Sequence, residues 1–141
     1  MPLMCDQCYK PYKKKYHPYL YCTENDCMGN LVEIDENLLE SIILLNKKGY
    51  TTDYCCNGHI FDACSAYISF FSQIILPSLP NGFDYDWNIH PVINKEKQLE
   101  NGHYAIRKSL VENNNILKQK EILQAGLDVL DWAMNLPEMI I

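Results

Sequence analysis

Two pairs of cysteines near the start of the chain limit what its first thirty or so residues can become. Cys5-Asp6-Gln7-Cys8 and Cys22-Thr23-Glu24-Asn25-Asp26-Cys27 read C-x2-C, thirteen residues, then C-x4-C. Each pair closes a tight turn and the separation is enough for a hairpin, so four thiolates can converge tetrahedrally on one Zn(II). Four thiolates leave no open coordination position, which makes such a metal structural and not catalytic. Roughly thirty residues bury too little apolar surface to offset their ordering entropy, whereas a structural zinc contributes on the order of 10 kcal/mol to folding. The alternative is four plain thiols with no metal. The chain has seven cysteines, an odd number that fits a disulfide framework poorly and suits a reducing compartment.

The paired spacing over residues 4 to 33 resembles a zinc ribbon, the two-knuckle module common in transcription, RNA-modification and repair proteins. The resemblance implies zinc as the cofactor and Cys5, Cys8, Cys22 and Cys27 as its ligands. The second knuckle has x4 where many ribbons have x2. Between the pairs, Tyr9 to Tyr21 holds five tyrosines and four lysines. Lysines neutralise phosphates and tyrosines stack on bases, so Tyr12, Lys13, Lys14, Lys15 and Tyr16 are the candidate nucleic-acid contacts. The competing reading is structural, since tyrosine favours strands and lysine solubilises a hairpin tip. His17, next to Pro18, is expected at the surface. Residues 1–21 carry Lys10, Lys13, Lys14 and Lys15 against Asp6, a local +3 within a net charge of -6, so residues 22–141 carry -9. An acidic body repels nucleic acid except where this basic head leads.

Leu31-Val32-Glu33-Ile34 alternates and ends the head, which divides the chain into a ribbon over 1–33 and a body over 34–141. No Ser/Gly linker intervenes, so the head is expected to pack on the body. Asp35 is a good N-cap, and Leu38, Leu39, Ile42, Ile43, Leu44 and Leu45 follow at helical spacing. Lys47 and Lys48 suit the helix's negative end, and Gly49 suits a left-handed cap. The run Tyr50 to Cys56 reads as a strand, with Tyr50, Thr52, Tyr54 and Cys56 on one face and Thr51, Asp53 and Cys55 on the other. Asn57-Gly58 turns the chain and brings in His59. A second strand is expected over Ala66–Phe71, an edge strand or aromatic, acidic protein-binding rim over Phe83–Trp87, and further β-capable runs over Ile89–Ile93 and His103–Leu110. From Asn115 a long helix runs to Leu136-Pro137. Its large apolar residues, Ile116, Leu123, Leu127, Leu130 and Met134, share one face that is expected to cover the sheet or else to form a dimer seam, with Lys118, Gln119 and Glu121 outside. The chain therefore reads as α+β: an N-terminal four-cysteine zinc ribbon, a helix, a small, mostly antiparallel sheet and a C-terminal helix.

Residues 35 to 71, with a helix, a Gly-aromatic strand, a Cys56-Asn57-Gly58-His59 turn and then Ala66-Tyr67-Ile68-Ser69-Phe70, resemble a family of small uncharacterised proteins of bacteria and their phages. More distantly the turn is similar to the Cys-Ser-Gly-Arg turn of the tRNA methyltransferase of wybutosine synthesis, with Asn57 in place of serine and His59 in place of arginine. This resemblance implies that Cys56, Gly58 and His59 sit beside a binding cleft. Two functions follow. The first is a zinc-containing binding module that meets a protein or a nucleic-acid-processing partner, as an inhibitor or adaptor of host defence machinery would. The second is an enzyme modifying RNA or a nucleotide, with Cys56, His59 and Asp53 as catalytic candidates in a cleft at the Cys55–Cys64 turn. No paired-carboxylate, Ser-His-Asp or open metal constellation is evident. No leader or membrane-spanning run is evident either, so a cytoplasmic protein, monomeric or homodimeric, is expected.

Overall fold

The computed structural model describes residues 2–13, 21–24, 26–56, 58, 65–71, 73–86 and 103–139. In chain order these form β1 (Leu3–Cys5), β2 (Pro11–Tyr12), β3 (Leu31–Glu33), a 3-10 turn (Glu36–Leu38), α1 (Leu39–Lys47), β4 (Thr52–Cys56), β5 (Ser65–Phe71), β6 (Asp84–Asp86), β7 (His103–Ser109) and α2 (Asn115–Asn135). The fold is α+β, as the sequence predicts. A three-stranded sheet in the order β2-β1-β3 carries the cysteine head, and a four-stranded sheet in the order β4-β5-β7-β6 carries the body. Every pairing is antiparallel.

Helix α1 starts later than the N-cap reading places it. Asp35 makes no capping bond, and the 3-10 turn takes up the first three residues. Its end is as expected. Gly49 has φ +97°, its amide donates to Asn46 O, and the Tyr50 amide donates to Leu45 O at 2.9 Å. These two bonds close the helix with a left-handed glycine. Asn46 then ties α1 to β4, donating through Nδ2 to Thr52 Oγ1 and accepting the Thr52 amide on Oδ1. The strand begins at Thr52 and not at Tyr50, whose hydroxyl instead donates to Pro137 O.

The simple alternation expected for β4 is broken by a bulge. Thr52 lies opposite Phe70, but Cys55 lies opposite Ile68 and Cys56 opposite Tyr67. One extra residue thus turns Cys55 toward the core side and Cys56 toward the outer side. Along β5 and β7 the pairs Phe70–Tyr104 and Ile68–Ile106 face inward and the pair Tyr67–Arg107 faces outward. Strand β6 sits at the sheet's edge, as Phe83–Trp87 suggests. Its acidic rim is partly used internally, since Arg107 Nε donates to Asp86 at 2.9 Å and Arg107 Nη1 donates to Ser65 Oγ. Ile89–Ile93 and Trp87 lie outside the described residues.

Helix α2 begins on Asn114, whose Oδ1 accepts the Ile116 and Leu117 amides, and ends before Leu136. Which face it buries differs from the sequence reading. Ile122, Ala125, Gly126, Val129, Trp132 and Ala133 are buried, whereas Ile116, Leu123, Leu127 and Met134 are exposed. Lys118 and Glu121, expected outside, are half-buried. The reason is distance: α2 lies against α1 and the 3-10 turn, and the small side chains Ala125, Gly126 and Ala133 let backbones approach where leucines would hold them apart. The end of α2 is closed by the C-cap residue of α1. Lys48 Nζ donates to the carbonyls of Ala133, Met134 and Leu136 at 2.7 to 3.0 Å.

Candidate metal centre

Two turns build the cysteine site. In the first, the chain leaves β1 at Cys5, and the Tyr9 amide donates to Cys5 O while the Cys5 amide donates to Lys10 O. Tyr9 adopts φ +64° to make this turn, and its ring packs against the core that the head shares with the body through Met4 and Ile34. In the second turn Tyr21 bridges Asn30, the Cys22 amide donates to Gly29 O, and Asp26 takes φ +61°. Aspartate is one of the few residues other than glycine that tolerate this conformation, which is how the longer x4 spacing still closes.

The turns bring Cys5, Cys8, Cys22 and Cys27 together, with all four sulfurs within 4.8 Å of one another. Cys5 Sγ lies 3.6 Å from Cys27 Sγ, and Cys8 Sγ lies 3.7 Å from Cys22 Sγ. Four sulfurs placed tetrahedrally at the Zn–S distance of about 2.3 Å would be about 3.8 Å apart. The Gln7 and Cys8 amides both donate to Cys5 Sγ at 3.4 Å. Such bonds stabilise a thiolate, and a plain buried thiol has less need of them.

As thiols, Cys8, Cys22 and Cys27 would not lose their protons together. The Tyr12 hydroxyl, 3.2 Å from Cys22 Sγ, and then the Glu24 amide hold Cys22 down at about 7. At Cys27 the Gly29 amide pulls the same way, but desolvation and hydrogen bonds from the other three sulfurs outweigh it and push Cys27 up to about 12. Cys8 is raised too, the pull of the Lys10 amide being overcome by desolvation and by Cys5 and Cys22. One site thus holds a ready thiolate beside thiols that resist ionising, and a divalent cation is the natural replacement for their protons.

Three further residues serve the site that spacing did not single out for it. Gly29 is buried against Cys5, and a Cβ there would collide with its Sγ. Lys10 pairs with Glu24 across the two turns and sits 5.4 Å from the Tyr12 ring centroid. Tyr12 stands in the predicted nucleic-acid set, yet it is half-buried, and its hydroxyl is engaged by Cys22 Sγ and the Thr23 amide. A glycine two residues after Cys27 was legible as a turn, whereas no local signal showed that a sulfur would fill its missing side chain. Lys13 is exposed; Lys14, Lys15, Tyr16 and His17 lie outside the described residues.

Of the second candidate set, Asp53 and Cys56 are among the described residues. Asp53 lines a cleft of about 330 Å3 between head and body, with Asp6, Tyr9, Asn46 and Thr51. Cys56 lies on the outer side of the body's sheet, where its sulfur accepts the Gly58 amide at 3.3 Å. Burial raises the Cys56 thiol above its ordinary value, the reverse of what a nucleophilic cysteine needs. Cys55 is pushed up to about 12, again first by burial. His59, Cys64 and the connection around them lie outside the described residues. Gly58, at φ +87°, is held by the close approach of Leu110, whose Cδ1 occupies the space an added Cβ would need. Among the described residues, Cys5, Cys8, Cys22 and Cys27 form the one group of cysteine, histidine and carboxylate side chains spaced to hold a metal, and no helix is long and apolar enough to cross a membrane.

No protein-family model, curated protein or solved structure matches this chain.

Proposed function

We propose that this protein is a binding module whose head is fixed by one structural Zn(II) on Cys5, Cys8, Cys22 and Cys27. The observation that carries the proposal is the approach of four sulfurs at close to tetrahedral spacing, with backbone amides aimed at Cys5. The metal supplies cross-linking and no reactive position, because all four ligands come from the chain. The ion's role is to hold the start of the Lys/Tyr segment at a defined angle to the acidic body. Lys13 is exposed on that segment, which supports contact with a protein or nucleic-acid-processing partner, with Lys14, Lys15 and Tyr16 as the remaining candidates. A role as an inhibitor or adaptor of host defence machinery is part of this proposal and rests on the sequence resemblance of residues 35 to 71 alone. Metal-holding thiols need a reducing compartment, which fits the cytoplasm.

Elemental analysis of the native chain tests the metal directly, with one zinc per chain expected. Substitution by Co(II) should give the visible bands of a tetrahedral four-sulfur site. Absence of stoichiometric metal in protein purified without chelator overturns the proposal. The basic contact is tested by changing Lys13, Lys14 and Lys15 together to Glu. Capture of partner or nucleic acid should be lost while zinc content stays at one.

A further inference from the structure

Helix α2 is apolar on two faces, and the chain itself uses one of them. The inner face is complete, with Ile122, Ala125, Val129, Trp132 and Ala133 buried. On the opposite face Ile116, Leu123, Leu127 and Met134 are 68%, 46%, 60% and 62% exposed. Their spacings of seven, four and seven residues keep them in one line along the helix. A single exposed leucine needs no explanation, but four large apolar side chains in a continuous line on one helix do.

We infer that this line is the contact through which two copies of the chain pair, their α2 helices antiparallel. The spacing is symmetric about residue 125: Ile116 and Met134 are equally far from it, and so are Leu123 and Leu127. A two-fold axis at that level sets Ile116 of one copy on Met134 of the second and Leu123 on Leu127, apolar on apolar throughout. Charge selects the direction. Lys120 and Asp131 are both exposed on the same flank of the line and straddle the same midpoint. Antiparallel helices set a flank against the same flank of the other copy, so each Lys120 meets an Asp131 and the dimer has two such pairs. A parallel arrangement would turn this flank toward the opposite one, which carries the uncharged Gln119. A helix of 21 residues is about 31 Å long, so the line from Ile116 to Met134 spans most of it.

Sedimentation velocity of the full chain with its metal, from micromolar to near-millimolar concentration, should show a monomer–dimer equilibrium. Leu123→Glu combined with Leu127→Glu should abolish the dimer and leave unchanged the zinc content and the thermal melt measured at dilutions where the parent is monomeric, because both side chains are exposed in the monomer. Lys120→Asp alone and Asp131→Lys alone each place like charges together twice per dimer and should weaken it about 10-fold. The double variant Lys120→Asp/Asp131→Lys should return to within about 3-fold of the parent. A chain that stays monomeric throughout, a dimer indifferent to the two glutamates, or a double variant no better than the singles would overturn the inference.

Discussion

The head and the body are built on opposite terms. The body is held by a continuous apolar core, with Phe70, Ile68, Ile106, Leu38, Ile42, Leu45 and Val129 almost fully buried. Among its described residues the head buries little besides Leu3, Met4 and the cysteines Cys5 and Cys22, and of its three described strands two are three residues long and one is two. Packing makes the body cooperative, whereas the head, under the proposed function, takes its cross-link from a metal bound by the four cysteines. The two regions should therefore fail separately and for different chemical reasons.

The largest break expected is Cys5→Ser. Losing one ligand forfeits much of a binding term on the order of 10 kcal/mol, so metal should be absent and head amide signals should collapse in NMR while those of β5, β7 and α2 keep their dispersion. Loss of the body's signals as well would show that the core does not stand without the head. Phe70→Ala is the converse. It should cost about 3 to 5 kcal/mol and lower the global melting temperature, with one metal per folded chain retained. Lys48→Met should cost about 2 kcal/mol, since three carbonyls at the end of α2 lose a charged donor. Its readout is faster amide exchange in the last turn of α2 and unchanged exchange in the head.

Opposite ends of the pH scale should separate the regions further. Protons compete with metal for the thiolates, so the head should release zinc as pH falls. Tyr12→Phe, which removes the bond that holds Cys22 down, should move that release to higher pH by a small amount, read by a zinc-sensitive dye. In the body, Tyr104 is raised to about 12, first by burial and then by Tyr85, and its hydroxyl donates to Ile74 O at 2.7 Å. An unfolded tyrosine ionises near 10, so this group's contribution is whole below about 10 and is lost as pH rises through about 12. Tyr104→Phe should make the alkaline loss of stability shallower while costing about 1 kcal/mol at neutral pH. An equally steep alkaline loss would assign it to other tyrosines, such as Tyr50 and Tyr67, which burial also raises.

What could be read from the chain in advance was whatever short stretches decide alone. The C-x2-C and C-x4-C spacings foretold the cluster, because a cysteine pair three to five residues apart already sets its own turn. Gly49 foretold the end of α1, because a left-handed cap is a one-residue property, and the strands of the body's sheet stood out by β-branched and aromatic content. Other features needed the neighbours. The bulge before Cys55 that sets which of Cys55 and Cys56 faces the core, the capping of α2 by Lys48 from the end of α1, and the sulfur that fills the space beside Gly29 all arise from elements far apart in sequence.

The two faces of α2 state the same division most directly. The sequence by itself determined that the stretch from Asn115 to Leu136-Pro137 forms an amphipathic helix, since apolar periodicity is local. Only the tertiary structure decided which stripe is core, because burial depends on how closely α1 and the 3-10 turn approach. Close approach favours Ala125, Gly126 and Ala133 over the larger Leu123 and Leu127 that composition alone would have put inside.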